Sequence, residues 1–369
     1  MPDHQAGLSL HRWTSGLMQE LFLTATPAAG EDVFTLLQKV ARAIRMEEAQ
    51  IVALEISGPL DFEEDVHGVL LEALGETEVP ITWILPAMEQ SPSAQIAGLH
   101  CWAASGVPLT PVRLHGRLVG RVIEGDSYRL CRLGDIRPSL PSEAPPVLQA
   151  REVFSLLADA LHSAGFHFQD LSRTWFFNDR ILEWYGDFNR ERDEFYRKLA
   201  LHRADLPAST SIGGRNRAGA ALQAGALAVS GQVVNKAVAS PLQGPAADYG
   251  SSFSRARELR WPGHRRLYIS GTASIAITGE TLNVGDCPAQ IRRTLTVVSA
   301  LLASRDMSWS DVRRAVAYLR NPADLACLQQ MLAAHNLSPQ PLMVSPQTIC
   351  RDDLLFEIEV DALSAGGVT

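Results

Sequence analysis

The chain has 369 residues, of which 46% are apolar and 20% charged, and a net charge of −8. That is enough apolar material for two or three packed domains, or one large one, which excludes a mainly disordered chain. The acidic balance excludes a general nucleic-acid binder, and the absence of an uncharged apolar run of about 18 residues excludes a membrane-spanning helix.

The opening stretch, MPDHQAGLSLHRW, lacks a basic segment followed by an apolar run, so no secretory leader is expected. In chain order, residues 18–26 read as a strand and 32–44 carry apolar residues at helical spacing. Residues 51–56 and 81–85 read as buried strands. The Pro- and Ser-rich stretch 137–146 is a connecting loop, and 240–250 is a second connector. The basic run 255–260, RARELR, reads as a solvated face or as part of a pocket for an anion. The glycine-rich 213–219 lacks both the P-loop ending and a GxGxxG pattern, and reads as a hairpin loop.

The five cysteines, Cys101, Cys131, Cys287, Cys327 and Cys350, form no CxxC pair. Neither a disulfide framework nor a structural zinc site is expected, and a reducing cytoplasm is the natural compartment. The histidines are scattered, so no metal and no organic cofactor is expected.

An internal repeat organises the rest. Residues 154–177 run from an amphipathic helix through a turn ending at Asp170 into a strand; 291–319 do the same through Asp311. Asn178-Asp179 or Asn321-Pro322 then leads to another helix. Closing strand pairs are expected at 209–213 with 224–229, and at 347–350 with 354–360. A hairpin of 267–275 with 282–286 precedes the second unit's helix; its weaker counterpart is 112–121 with 133–136. The expected fold is α+β, with mixed sheets and helices packed on one face. The expected division is an α/β region at 1–95, read as a decayed half-unit, then a degenerate unit at 96–240 and a fuller unit at 241–369.

The fuller unit carries SGTASI (270–275), Gly279-Glu280, VGD (284–286), AQI (289–291), SDVRR (310–314) and FEIEVDAL (356–363). In this order they resemble the Rid/YjgF superfamily, the reactive intermediate deaminases, also described as endoribonuclease L-PSP-like. The fold implied is a tandem of Rid-like, chorismate-mutase-like units. Further segments, RTWFF (173–177), YGDFNRERD (185–193), ASTSIG (208–213) and YGSSFSRA (249–256), make the chain similar to the two-unit chorismatase branch. The stretch 176–184 departs from that branch's pattern.

The resemblance implies a hydrolase or lyase cleaving the enolpyruvyl ether of chorismate or a relative. Glu357 is then the catalytic acid, and a glutamate on an apolar cleft edge suits that role. Strand alternation puts Glu357 and Glu359 on one face, so a solvated sheet face is the plainer reading, and it is kept for Glu359. Arg255 can hold a carboxylate through two parallel hydrogen bonds, with Tyr249 as a further donor. Gly271, Thr272 and Ala273 end a strand where a ligand can approach the backbone. By the resemblance, Ala273 and Cys350 shape the pocket and bias the product. The aromatic residues Trp175, Phe176, Phe177, Trp184, Tyr185 and Phe188 read as core or subunit interface.

Two other classes stay open. A Rid-type enamine/imine deaminase needs an arginine near the penultimate strand's start, where 343–350 has none and Arg351 falls late. A non-catalytic binder of a small metabolite is the other. The expected partner is a small anionic metabolite, not nucleic acid or membrane. Rid proteins are trimers, so either a homotrimer or a pseudo-oligomeric monomer is implied.

Overall fold

Period-two apolar spacing forms strands and helical spacing forms helices, and both recur three times along the chain. The computed structural model describes residues 3–5, 7–28, 31, 33–59, 63–75, 78–86, 97–338 and 341–365. The first unit holds β1 (Asp3–Gln5), β2 (Leu8–Ser15), β3 (Met18–Ala25), α1 (Val33–Met46), β4 (Gln50–Ser57), α2 (Glu63–Leu74), β5 (Ile81–Ile84) and β6 (Gly98–Ser105). The second holds β7 (Leu109–Leu114), β8 (Arg117–Glu124), β9 (Tyr128–Ile136), α3 (Pro146–Ser163), β10 (Leu171–Asn178), α4 (Ile181–Lys198), β11 (Ala208–Gly213) and β12 (Leu222–Gly231). The third holds β13 (Val234–Val238), β14 (Ala256–Trp261), β15 (His264–Ala273), α5 (Cys287–Ala303), β16 (Val312–Leu319), α6 (Leu325–Ala334), β17 (Leu342–Pro346) and β18 (Phe356–Ala365).

Each unit makes one six-stranded mixed sheet with the same order: β1-β2-β3-β6-β4-β5, β7-β8-β9-β12-β10-β11 and β13-β14-β15-β18-β16-β17. The unit's last strand therefore inserts at the middle of its sheet. The α+β class with mixed sheets is as expected.

Helices cover one face of each sheet and build a separate core there, with Leu36 and Leu54 in the first unit, Phe154 and Phe176 in the second, and Ile291 and Phe356 in the third. A fourth core has no helical residue. Ile84, Trp175, Leu227, Tyr268 and Val316, drawn from all three sheets, meet in it. Fully burying one such side chain stabilises by about 1.5–3 kcal/mol, so this shared core ties the units together. The penultimate strand of each unit, β5, β11 or β17, lies against the third strand of the next, β9, β15 or β3. Three equivalent seams between units result.

Several expectations change. The first region is a full unit, and its sheet continues to Ser105 rather than stopping near 95. The second sheet ends at Gly231, so β13 already belongs to the third. The start of the helix at Asp32 lies outside the described residues. The hairpin in the third unit is β14 with β15; residues 282–286 form turns leading into α5, where Asp286 accepts a capping hydrogen bond from the Ala289 amide at 2.9 Å. Residues 347–350 are a loop after β17, not a strand. The stretch 213–219 is not a hairpin loop, because β11 and β12 flank β10 on opposite sides. The basic run 255–260 is largely buried as β14.

Candidate active site

The cleft between the second and third units, about 520 Å³, gathers most of the expected site. Glu357, Arg255, Tyr249, Gly271, Ala273 and Cys350 all line it. Glu357 enters from β18, the central strand, paired with Ala273 on β15 and Tyr318 on β16. Thr272 is the exception and a correction. Strand alternation turns it away from its cleft-facing neighbours, and its hydroxyl donates to the Ser270 carbonyl at 2.8 Å.

Gly271 permits a close approach: a Cβ there would stand 2.0 Å from a Glu357 carboxyl oxygen, so a larger residue would displace the acid. The Gly271 amide donates to Thr210 Oγ1 at 3.1 Å, which ties β15 to β11 across the cleft.

Glu357 is 5% exposed, and no described residue donates a hydrogen bond to its carboxyl. Burial, reinforced by the negative Glu359, pushes its pKa up to about 8 against the pull of Arg173, Arg351 and Arg255. The acid therefore holds its proton at neutral pH. Cys350 is similarly pushed up to about 12 by burial and by Glu357, so it is a neutral thiol and not a nucleophile. Burial also raises the Tyr249 phenol.

Arg255 is anchored by Nε donating to the Gly244 carbonyl at 2.9 Å. Its guanidinium lies 5.3 Å from the Tyr249 ring centroid and 5.5 Å from that of Phe253. Its buried Nη2 has no partner.

Sequence reasoning missed four contributors. Arg192 and Tyr185 both come from α4, where positions 185, 188 and 192 share a helical face. Tyr185 thus lines the cleft, while Trp184 and Phe188 fill the core as expected. Arg351 stacks over Tyr249 at 5.4 Å and donates to the Gly279 carbonyl at 2.6 Å. Ser211 presents a buried hydroxyl without a partner. The motifs 185–193 and 208–213 already contained three of these four.

Arg192, Arg255 and Arg351 thus face one cleft, and among the described residues none of them forms an ion pair. Three unpaired guanidiniums beside one protonated acid suit an anion with more than one negative charge.

Glu359, two residues on, corrects the solvated-face reading. It is fully buried and accepts from Arg173 at 2.8 Å, Arg314 at 2.6 Å and Trp175 Nε1 at 3.2 Å. Burial raises its pKa, but the two arginines outweigh that and hold it below the usual range.

The acid occurs in one unit of the three. Each sheet carries a bulge at the same place, between Val312 and Arg314, Leu171 and Arg173, or Ile51 and Ala53. Counting along the last strand from it, the position of Glu357 is Gln223 in the second unit and Gly98 in the first.

No family model matches the chain. It is similar to a chorismatase of Streptomyces hygroscopicus, 29% identical over 212 residues, which are 51% of this chain and 60% of that protein. It is also similar to a 3-hydroxybenzoate synthase of the same organism, 25% identical over 221 residues, 53% of this chain and 64% of that protein. The matches thus span less than two thirds of either relative. The fold matches a crystal structure of a chorismatase with a TM-score of 0.65 and 21% identity, covering 85% of this chain and 92% of that one. The likeness to chorismatases drawn from the sequence motifs is therefore shown in sequence and in fold.

Proposed function

We propose that the chain cleaves the enolpyruvyl ether of chorismate or a close relative. The observation that carries this is Glu357, a protonated carboxyl in a cleft with three unpaired arginines. Similarity to a chorismatase and to a 3-hydroxybenzoate synthase supports the substrate class.

The substrate's carboxylates are held by guanidiniums drawn from Arg192, Arg255 and Arg351. Glu357 gives its proton to the enol ether's methylene carbon, and the developing oxocarbenium ion takes the adjacent positive charge. Glu357, now an anion beside that cation, stabilises it. Water adds to the cationic carbon and returns a proton to Glu357. The resulting hemiketal breaks its bond to the ring oxygen, giving pyruvate and a dihydroxycyclohexadiene acid; loss of a further water would give a hydroxybenzoate. A ring hydroxyl attacking in place of water also leads to pyruvate. Ala273 and Cys350 border the cleft and are the residues we assign to biasing that choice.

The imine deaminase reading is weaker, because its water addition needs no enol-ether acid and Arg351 comes from the loop after β17. A lactate dehydrogenase–coupled pyruvate assay with chorismate tests the proposal. Pyruvate release by the wild type, lost in Glu357→Gln, is expected. No pyruvate from folded wild-type protein overturns chorismate as substrate.

A further inference from the structure

A second cavity, of about 630 Å³, lies where all three sheets meet, and the mechanism above does not use it. Its walls are largely apolar and aromatic, with Phe22 and Trp102 from the first unit, Trp175 and Leu227 from the second, and Tyr268 and Leu363 from the third. The lining suits a small organic ligand with a flat apolar body.

Its polar groups are specific. Arg132 and Arg314 share Glu55, Arg314 also pairs with Glu359 and Asp361, and Arg266 pairs with Glu20. Arg313 differs. Its Nη1 donates to the Ser310 and Val312 carbonyls at 2.8 and 3.0 Å, and among the described residues no carboxylate pairs with it. One guanidinium at the cavity is therefore not ion-paired among the described residues, although the nearby Asp311 acts on it through space. Arg266 is 2% exposed, yet among the described residues its Nε has no acceptor. The Asp361 Oδ1 atom is buried, likewise without a donor among them. Buried polar atoms left unpaired are costly, so a donor, an acceptor and a cation around one aromatic cavity mark a ligand's complement.

We propose that this axial cavity binds a hydroxyaryl carboxylate. The ligand's carboxylate pairs with Arg313 and accepts from Arg266 Nε; its hydroxyl donates to Asp361 Oδ1; its ring lies against Trp102 and Trp175. That class includes the hydroxybenzoate named above as a product, and the choice of ligand rests on that reading to this extent. Binding needs no turnover, so failure of this inference and failure of the proposed reaction are separately visible.

The test is calorimetric titration of the full chain with 3-hydroxybenzoate, and with benzoate and phenol as single-group controls. One binding event is expected that persists in Arg255→Ala, which disables the cleft. It weakens about tenfold in Arg313→Ala through loss of a charge-assisted contact. It disappears in Ala53→Leu, which fills the cavity from β4. Benzoate and phenol bind more weakly than 3-hydroxybenzoate. Thermal melts confirm that each variant is folded, and Arg313→Lys retains part of the affinity if Arg313→Ala unfolds. The proposal is overturned by absence of binding at millimolar ligand, by binding that follows Arg255→Ala alone, or by unchanged titrations in Arg313→Ala and Ala53→Leu.

Discussion

Glu357 and Glu359 stand on the same face of β18, two residues apart, and their surroundings drive them in opposite directions. Glu359 is gripped by Arg173 and Arg314 inside the shared core and is held ionised. Glu357 projects into a cleft where, among the described residues, no donor reaches its carboxyl, and it keeps its proton to about pH 8. Both are buried, so burial alone does not decide a carboxyl's state. The decisive factor is whether arginines are close enough to hydrogen-bond it. The ionised Glu359 also raises its neighbour, so the structural ion network helps to set up the candidate acid.

The sharpest way to break this contrast is to neutralise each carboxyl in turn. Glu357→Gln is expected to lower pyruvate release by about 10²–10⁴-fold, the usual worth of a general acid, with no drop in melting temperature at pH 7. An unfolded variant would show that the cleft carboxyl is structural. Glu359→Gln should do the reverse and destabilise the fold by about 3–5 kcal/mol in denaturant titrations, because Arg173 and Arg314 lose their counter-charge. A mild effect there would mean the network is not held as described.

A smaller effect is expected at the substrate's carboxylate. Arg255→Ala should cost about 1.5–3 kcal/mol in kcat/KM, mostly through KM. A change confined to kcat would instead place Arg255 in the chemical step.

The smallest effects are in pH dependence, and their signs differ between the two regions. The folded pKa of Glu357 is raised from 4.5 to about 8, so its contribution to stability is present below 4.5 and lost as pH rises through about 8. Glu357→Gln removes that loss and should melt progressively above wild type over this window. Glu55, which pairs with Arg314 and Arg132, is the opposite case. Burial raises it, but Arg314 and Arg132 prevail and hold it at about 2. Its contribution is present above 4.5 and lost as pH falls through about 2, and Glu55→Gln should remove that acid-side loss.

The repeat and the α+β class were legible because they depend on local order: helical spacing, turn residues and strand alternation. Glu357 was singled out by the family resemblance, since alternation alone read its face as solvated. The third repeat was legible only as a decayed half-unit, because only sheet pairing reveals that β6, beyond residue 95, closes the first unit. Glu359 was misread for the same reason. Its partners Arg173 and Arg314 lie 186 and 45 residues away, and alternation names a face without saying what covers it. Arg351 was discounted because it comes late for a strand; it reaches the cleft from a loop that sequence spacing treated as a strand. Thr272 was included because a motif was taken whole, although alternation already turned it from its neighbours.

The most direct test follows the Glu357 carboxyl itself by carbon-13 NMR on glutamate-labelled protein, assigned by its absence in Glu357→Gln. A titration midpoint near pH 8 is expected. A midpoint at or below 4.5 would contradict it, since the cleft would then hold an ordinary carboxylate with no proton to give.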